Sequence, residues 1–276
     1  MSLLRPRDLT EALDYLAEAP AMLVAGGTDV FPALGARPAP PRVLDLSGIS
    51  GLSGIRREAG GWHIGAATSW ADIARADLPP LFDALKSAAR QVGSVQIQTT
   101  ATIAGNICNA SPAADGVPVL IAMEAEVELA SAIATRRVPL GAFILGPRRT
   151  ALRPGEIVTA IWLPDRAGAV SRFEKLGGRS YLVISIVSVA VLLWAEGGAV
   201  VGARIAVGAA SPVPMRLPAA EAAVTGRPVS DLAAAVLPGH LARLAPIDDV
   251  RASAGYRREA ALVLIRRALA GLGARG

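Results

Sequence analysis

The stretch Met22-Leu23-Val24-Ala25-Gly26-Gly27-Thr28-Asp29-Val30 sets two glycines directly after an apolar run. A second stretch, Thr100-Ala101-Thr102-Ile103-Ala104-Gly105-Asn106, repeats the arrangement far along the chain. Glycine adopts φ > 0 freely and lets another molecule approach its backbone. Successive N–H groups in such a turn form a concave nest that attracts anionic oxygens. One nest suits one phosphate; two nests from separate parts of a domain suit the diphosphate of a dinucleotide. Neither stretch matches the G-x-G-x-x-G or G-x-x-x-x-G-K-[ST] fingerprints. A plain tight turn with an Asx-type hydrogen bond is the competing reading of Gly26–Asp29.

Working outward, Asp8 and Glu11 have capping-box spacing, and Leu9, Leu13 and Leu16 recur at helical spacing until Pro20. Met22–Val24 and Val43–Leu46 then read as strands on either side of the proline-rich loop 38–41. A second unit opens with a strand near Trp62-His63-Ile64 and a short helix capped by Thr68 or Ser69. Leu81, Leu85, Ala88, Ala89 and Val92 mark the inner face of a longer helix, and Pro112 marks the start of another. Val127–Ala130 reads as a strand, and Pro164-Asp165-Arg166-Ala167-Gly168 reads as a boundary. Beyond it, Glu196-Gly197-Gly198 is a hairpin turn between two apolar strands. Pro218 starts a helix, Gly226 stops it, and Ser253 caps the last one.

Among 276 residues, 52% are hydrophobic and 18% charged, a globular composition with ample core. The formal charge is +5, but the arginines are scattered and no basic run interleaves with aromatics, which argues against nucleic acid. The apolar run 182–195 is broken by Ser185 and Ser188 and is too short to span a bilayer, so it reads as a buried strand. No apolar leader segment is evident, so a cytoplasmic location is expected. Cys108 is the single cysteine, and the two histidines, His63 and His240, are far apart. These residue types hold neither an iron–sulfur cluster nor a metal-ligand pattern, so any redox chemistry calls for an organic cofactor. No acid–base pair or nucleophile stands out, and no catalytic residue is assigned.

The order Ala25-Gly26-Gly27-Thr28-Asp29, Val92-Gly93-Ser94-Val95-Gln96-Ile97, Thr102-Ile103-Ala104-Gly105-Asn106 and Ser111-Pro112-Ala113-Ala114-Asp115 resembles the FAD-binding medium subunit of the molybdenum hydroxylases. These are the xanthine dehydrogenase and carbon monoxide dehydrogenase relatives. The likeness runs on through Leu152-Arg153-Pro154-Gly155-Glu156-Ile157-Val158, Phe173-Glu174-Lys175-Leu176-Gly177-Gly178-Arg179, Ile186–Val191 and Tyr256-Arg257-Arg258.

The resemblance implies an α+β chain. An FAD-binding domain of the p-cresol methylhydroxylase/vanillyl-alcohol oxidase type would span 1–165, in α/β subdomains 1–54 and 55–165. A C-terminal sheet-and-helix domain would span 166–276. FAD would lie against Val24, Ala25, Gly26, Gly27, Thr28, Asp29, Val30, Thr102, Ala104, Gly105, Asn106, Asp115, Ile157 and Lys175. Tyr181 would stand near the flavin. Molybdopterin and [2Fe–2S] clusters would belong to a large and a small partner subunit, in a dimer of heterotrimers. Electrons would leave the flavin for NAD, oxygen or a quinone. A self-contained flavin oxidoreductase of the same fold and a non-catalytic assembly subunit are the alternatives.

Structural readings stand beside several of these roles. Asp115 can simply cap the following segment, Lys175 can pair with Glu174 or Glu196, and Ile157 can be plain core. Two departures from the family pattern are visible. Ala104 replaces a glycine, which would strain the backbone if that position needs φ > 0. Gln98-Thr99 stands where relatives often show Arg-Asn.

Overall fold

In the computed structural model, residues 2–274 are described; residues 1, 275 and 276, the outer ends of the two expected domains, lie outside them. At the start of helix Leu9–Glu18, Asp8 accepts the Glu11 N–H at 2.9 Å, and the Glu11 carboxylate accepts the Arg7 N–H at 3.0 Å. The return arm of the capping box therefore lands one residue early. The helix buries Ala12, Leu13 and Leu16 in a core that also holds Leu44, Leu46, Leu52 and Ile157. Alongside it lies a three-stranded parallel sheet with Arg42–Asp45 between Ser2–Leu4 and Met22–Val24.

A five-stranded antiparallel sheet follows, in the order Ile55–Glu58, Gly61–Gly65, Ile157–Pro164, Glu126–Ala130, Thr135–Pro139. His63 lies on the second of these strands, where burial, helped by Arg56, pushes its pKa below the usual imidazole value. Ser69, not Thr68, caps helix Trp70–Arg75 through a reciprocal box with Asp72. The Thr68 hydroxyl instead accepts the Gly54 N–H at 2.9 Å.

Two helix expectations shift. The helix expected across 81–92 divides into a 3₁₀ turn, Pro80–Phe82, and an α-helix, Asp83–Ala89, because consecutive prolines open the segment. Leu81, Leu85, Ala88 and Ala89 are buried as expected, while Val92 lies past the helix end. The helix expected at Pro112 begins at Gly116 and carries Pro118 in its first turn. There the missing N–H costs no hydrogen bond.

A four-stranded antiparallel sheet takes the order Val170–Leu176, Val187–Glu196, Ala199–Gly208, Met215–Arg216. Gly197 and Gly198 have φ of +59° and +79°, the backbone a two-residue hairpin requires. Helix Pro218–Val224 ends just before Gly226, and Ser253 caps helix Ala254–Gly273 by accepting the Tyr256 N–H.

Strand Val187–Glu196 is buried on both faces. Ala190 and Leu192 join the core of the five-stranded unit and its helices. Val187, Val189, Val191 and Leu193 join the core beneath helix Ala254–Gly273. Two-sided burial is why the run is continuously apolar rather than alternating.

A charged knot closes the junction. Glu124 accepts from Arg204 Nε at 2.7 Å and Arg216 at 3.0 Å and also pairs with Arg166, and Arg166 and Arg204 flank the Trp194 ring. Burial raises the Glu124 pKa, but the Arg204 hydrogen bond and the Arg166 charge outweigh it and hold the carboxyl below its ordinary 4.5. A carboxylate whose folded pKa is depressed stabilises the fold above its unfolded pKa and loses that contribution as pH falls through the folded value. Thermal melts between pH 7 and pH 3 should therefore show a Tm that falls more steeply below about pH 4.5 in the parent than in Glu124→Gln. Parallel profiles would assign the knot no role in acid stability.

Candidate functional site

The two glycine stretches meet. A Cβ on Gly26 would collide with the Thr100 carbonyl oxygen and press on Ala101 Cα, so only glycine lets the first turn lie against the second backbone. Beside this contact opens a cleft of about 770 Å³, within the range of cofactor sites. One wall comes from the three-stranded sheet and the segments around it, including Leu23, Ala25–Val30, Ala33 and Leu46. The other comes from helix Ile103–Asn109 and the segment after it, with Lys175 arriving from strand Val170–Leu176 and residues 182–184 from the connection that follows it.

Of the residues expected there, Ala25, Gly26, Gly27, Thr28, Asp29, Val30, Thr102, Ala104, Gly105, Asn106, Asp115, Ile157 and Lys175 all line this cleft. Val24 does not: it ends its strand as a buried residue. Tyr181 is exposed and lies off the cleft wall.

The turns differ in kind. At the first, Gly27 has φ +68°, and the N–H groups of Gly26, Gly27 and Thr28 donate to no group among the described residues. This is an open nest. Asp29 makes no Asx-type cap; its side chain is free on the wall.

The second stretch is not a positive-φ turn after a strand. It joins helix Val95–Thr100 to helix Ile103–Asn109, with Ser94 and Thr102 as their caps. Its four leading N–H groups are already taken. Ile103 donates to Thr68 O, Ala104 to Ala66 O, Gly105 to Thr102 Oγ1 and Asn106 to Thr102 O. Ala104 is helical and unstrained, so the feared penalty does not arise. Gln98 and Thr99 make local bonds, to Arg90 O at 2.9 Å and Gln96 O at 2.9 Å.

What Gly105 offers is room. It is exposed on the wall, and a Cβ there would meet only Thr102 Oγ1, so any side chain would project into the cleft. A flat, diphosphate-bearing cofactor fits these features: an open nest on one wall and a bare glycine on the other. Two polar atoms of lining residues, Asn106 Oδ1 and Trp70 Nε1, are buried without partners, a cost that a bound polar group can offset.

At the far end of the helix, Lys175 Nζ donates to Asp115 Oδ2 at 2.6 Å and Ser185 Oγ donates to Asp115 Oδ1 at 2.5 Å. Asp115 stands at the N-cap position of helix Gly116–Ala122 but its side chain makes no cap bond, and Lys175 pairs with neither Glu174, which holds Arg172, nor the exposed Glu196. Burial raises the Asp115 pKa, and the Lys175 charge opposes it. Burial also pushes the Cys108 thiol up to about 12, so it is unreactive. His240 accepts the Leu237 N–H through Nδ1 at 3.2 Å. Among the described residues, no three His, Cys, Asp or Glu side chains stand together as a metal site.

Residues 1–166 match the family described as the FAD binding domain in molybdopterin dehydrogenase, and residues 173–272 match the CO dehydrogenase flavoprotein C-terminal domain. The chain belongs to the FAD-binding medium subunits of the molybdenum hydroxylases. It is 31% identical to the glyceraldehyde dehydrogenase medium chain of Sulfolobus acidocaldarius, covering 97% of this chain and 96% of that one. It is 30% identical to the carbon monoxide dehydrogenase medium chain of Hydrogenophaga pseudoflava, over 96% and 94% of the two. A solved carbon monoxide dehydrogenase chain from the same organism superposes with TM-score 0.88 at 31% identity, covering 100% of this chain and 98% of that one. The reconstituted CO dehydrogenase of Oligotropha carboxidovorans gives 0.90 at 28% identity, with coverage of 100% and 98%.

Within this flavoprotein subunit, the sequence left several wall residues unmarked: Gln91, Arg148, Leu182, Val183 and Ile184. None carries a local signal, because each reaches the cleft only through the packing of a distant segment.

Gly105→Val should abolish FAD retention while the circular dichroism and Tm, within about 3 °C, stay near the parent, since a helical wall position tolerates valine. Gly26→Ala should instead destabilise the fold by about 1–3 kcal/mol, because its methyl meets backbone. Flavin content after gel filtration and thermal melts separate the two. Unchanged flavin in a folded Gly105→Val would remove this wall from the site.

Proposed function

We propose that this chain takes electrons from the [2Fe–2S] clusters of a small partner subunit and delivers them to NAD, oxygen or a quinone. In this reading a large molybdopterin subunit oxidises the organic substrate, and the assembly is a dimer of heterotrimers. The observation that supports it is the chemistry of the cleft. Its Asp, Glu, Lys and Arg residues are Asp29, Asp115, Arg148 and Lys175, and the second and fourth neutralise each other. Such a wall binds and orients, and it offers no activated nucleophile or base for work on a substrate of its own.

FAD, when bound, would supply the redox chemistry. The chain's own residues would do the rest. The Gly26–Thr28 amides would take the diphosphate, Gly105 would let the cofactor lie close, and Ile157, Leu46 and Leu52 would exclude water along an apolar wall. The Lys175–Asp115–Ser185 cluster would fix a buried polar group against the cofactor. The same reading divides the chain into an FAD-binding domain, 1–165, and a C-terminal domain, 166–276.

In stopped-flow absorbance, the FAD-loaded chain alone should bleach with an artificial reductant but with no aldehyde, heterocycle or carbon monoxide. With the molybdenum and iron–sulfur subunits added, bleaching should depend on their substrate. Rapid reduction of the isolated chain by one organic substrate would overturn this reading in favour of a self-contained flavoenzyme.

A further inference from the structure

Arg148 is a cation of the cleft wall with no acidic partner among the described residues. Lys175 is spent on Asp115, and Asp29, on the other wall, makes no side-chain cap bond. Its backbone is held in an unusual state. Arg148 has φ +59°, and its N–H donates at 3.0 Å to the carbonyl of Ala110, itself a non-glycine residue at φ +46°. Left-handed non-glycine residues persist where the surroundings enforce them, and of this pair Arg148 lines the cleft while Ala110 is buried behind it. The Arg148 backbone is thereby anchored beside the C-terminal end of helix Ile103–Asn109, and its side chain is exposed on the cleft wall.

That helix lines the cleft along its length, through Thr102, Gly105, Asn106 and Asn109. At about 1.5 Å per residue, Ala110 lies roughly 8 Å further along the wall than Gly105. With the diphosphate between the open nest and Gly105, Arg148 would stand away from it, beside one of the two end rings of a bound dinucleotide. Of the two rings of FAD, adenine carries no charge. The isoalloxazine gains one: on taking up two electrons and one proton it becomes an anion.

We propose that Arg148 is the charge-compensating residue for the reduced flavin, favouring the anionic two-electron-reduced ring over the neutral oxidised one. This rests on the FAD reading of the cleft. An opposite charge within a few ångströms shifts such an equilibrium by tenfold or more. Removing it should weaken binding of the reduced form while sparing the oxidised form.

The test uses the full chain loaded with FAD, with dithionite as the two-electron donor, and Arg148→Gln and Arg148→Lys beside the parent. The readouts are the dissociation constants of oxidised and reduced FAD and the midpoint potential against redox dyes. In Arg148→Gln the reduced-form constant should rise about tenfold relative to the oxidised, a potential lower by about 30 mV for a two-electron couple. Arg148→Lys, which keeps the charge, should recover most of it. Equal weakening of both forms would make Arg148 a diphosphate ligand and overturn the proposal, as would no change in either. Failure of the parent to bind FAD would instead overturn the FAD reading itself. Because the side chain is exposed, neither variant removes a core contact.

Discussion

The cleft depends on two backbones meeting without side chains between them. Gly26 lies against Thr100 and Ala101, and this contact joins the small parallel sheet to the helical wall of the cleft. A methyl group at Gly26 would force these two backbones apart by more than packing tolerates. With the contact in place, the free amides of the first turn face the open side of Gly105 across one space. The two glycines therefore do different work: one sets the spacing of the walls, the other leaves room between them.

Features set within a few residues were legible in the sequence. The Asp8 and Ser253 caps, the Gly197-Gly198 hairpin and the apolar strand before it are decided by local geometry. The second glycine stretch was misread because its signal is equally local to a helix start: threonine followed by glycine three residues later serves a cap as readily as a nest. The Lys175–Asp115 pair joins residues 60 apart, and nothing near either one announces the other. Arg148 was silent for the same reason. Its place in the cleft comes from a hydrogen bond to Ala110 across the fold.

Electrostatics in the cleft follows from what is neutralised. A buried ammonium and a buried carboxylate satisfy one another, with Ser185 completing the carboxylate's contacts. Such a pair contributes little net stability, but losing one partner strands the other in a poor solvent. Since Asp115 comes from the FAD-binding region, Lys175 from strand Val170–Leu176 and Ser185 from the segment just before strand Val187–Glu196, the cofactor floor forms only when the two regions are docked.

The two-sided burial of strand Val187–Glu196 has a consequence for the integrity of the chain. One face closes the core of the five-stranded unit and the other closes the core under the last helix. The turn at 164–168 separates two sequence families, yet the cores on its two sides share this strand. A cut in that turn would leave two fragments that each expose an apolar sheet or helix face. They would stay associated, and neither would be a free-standing part.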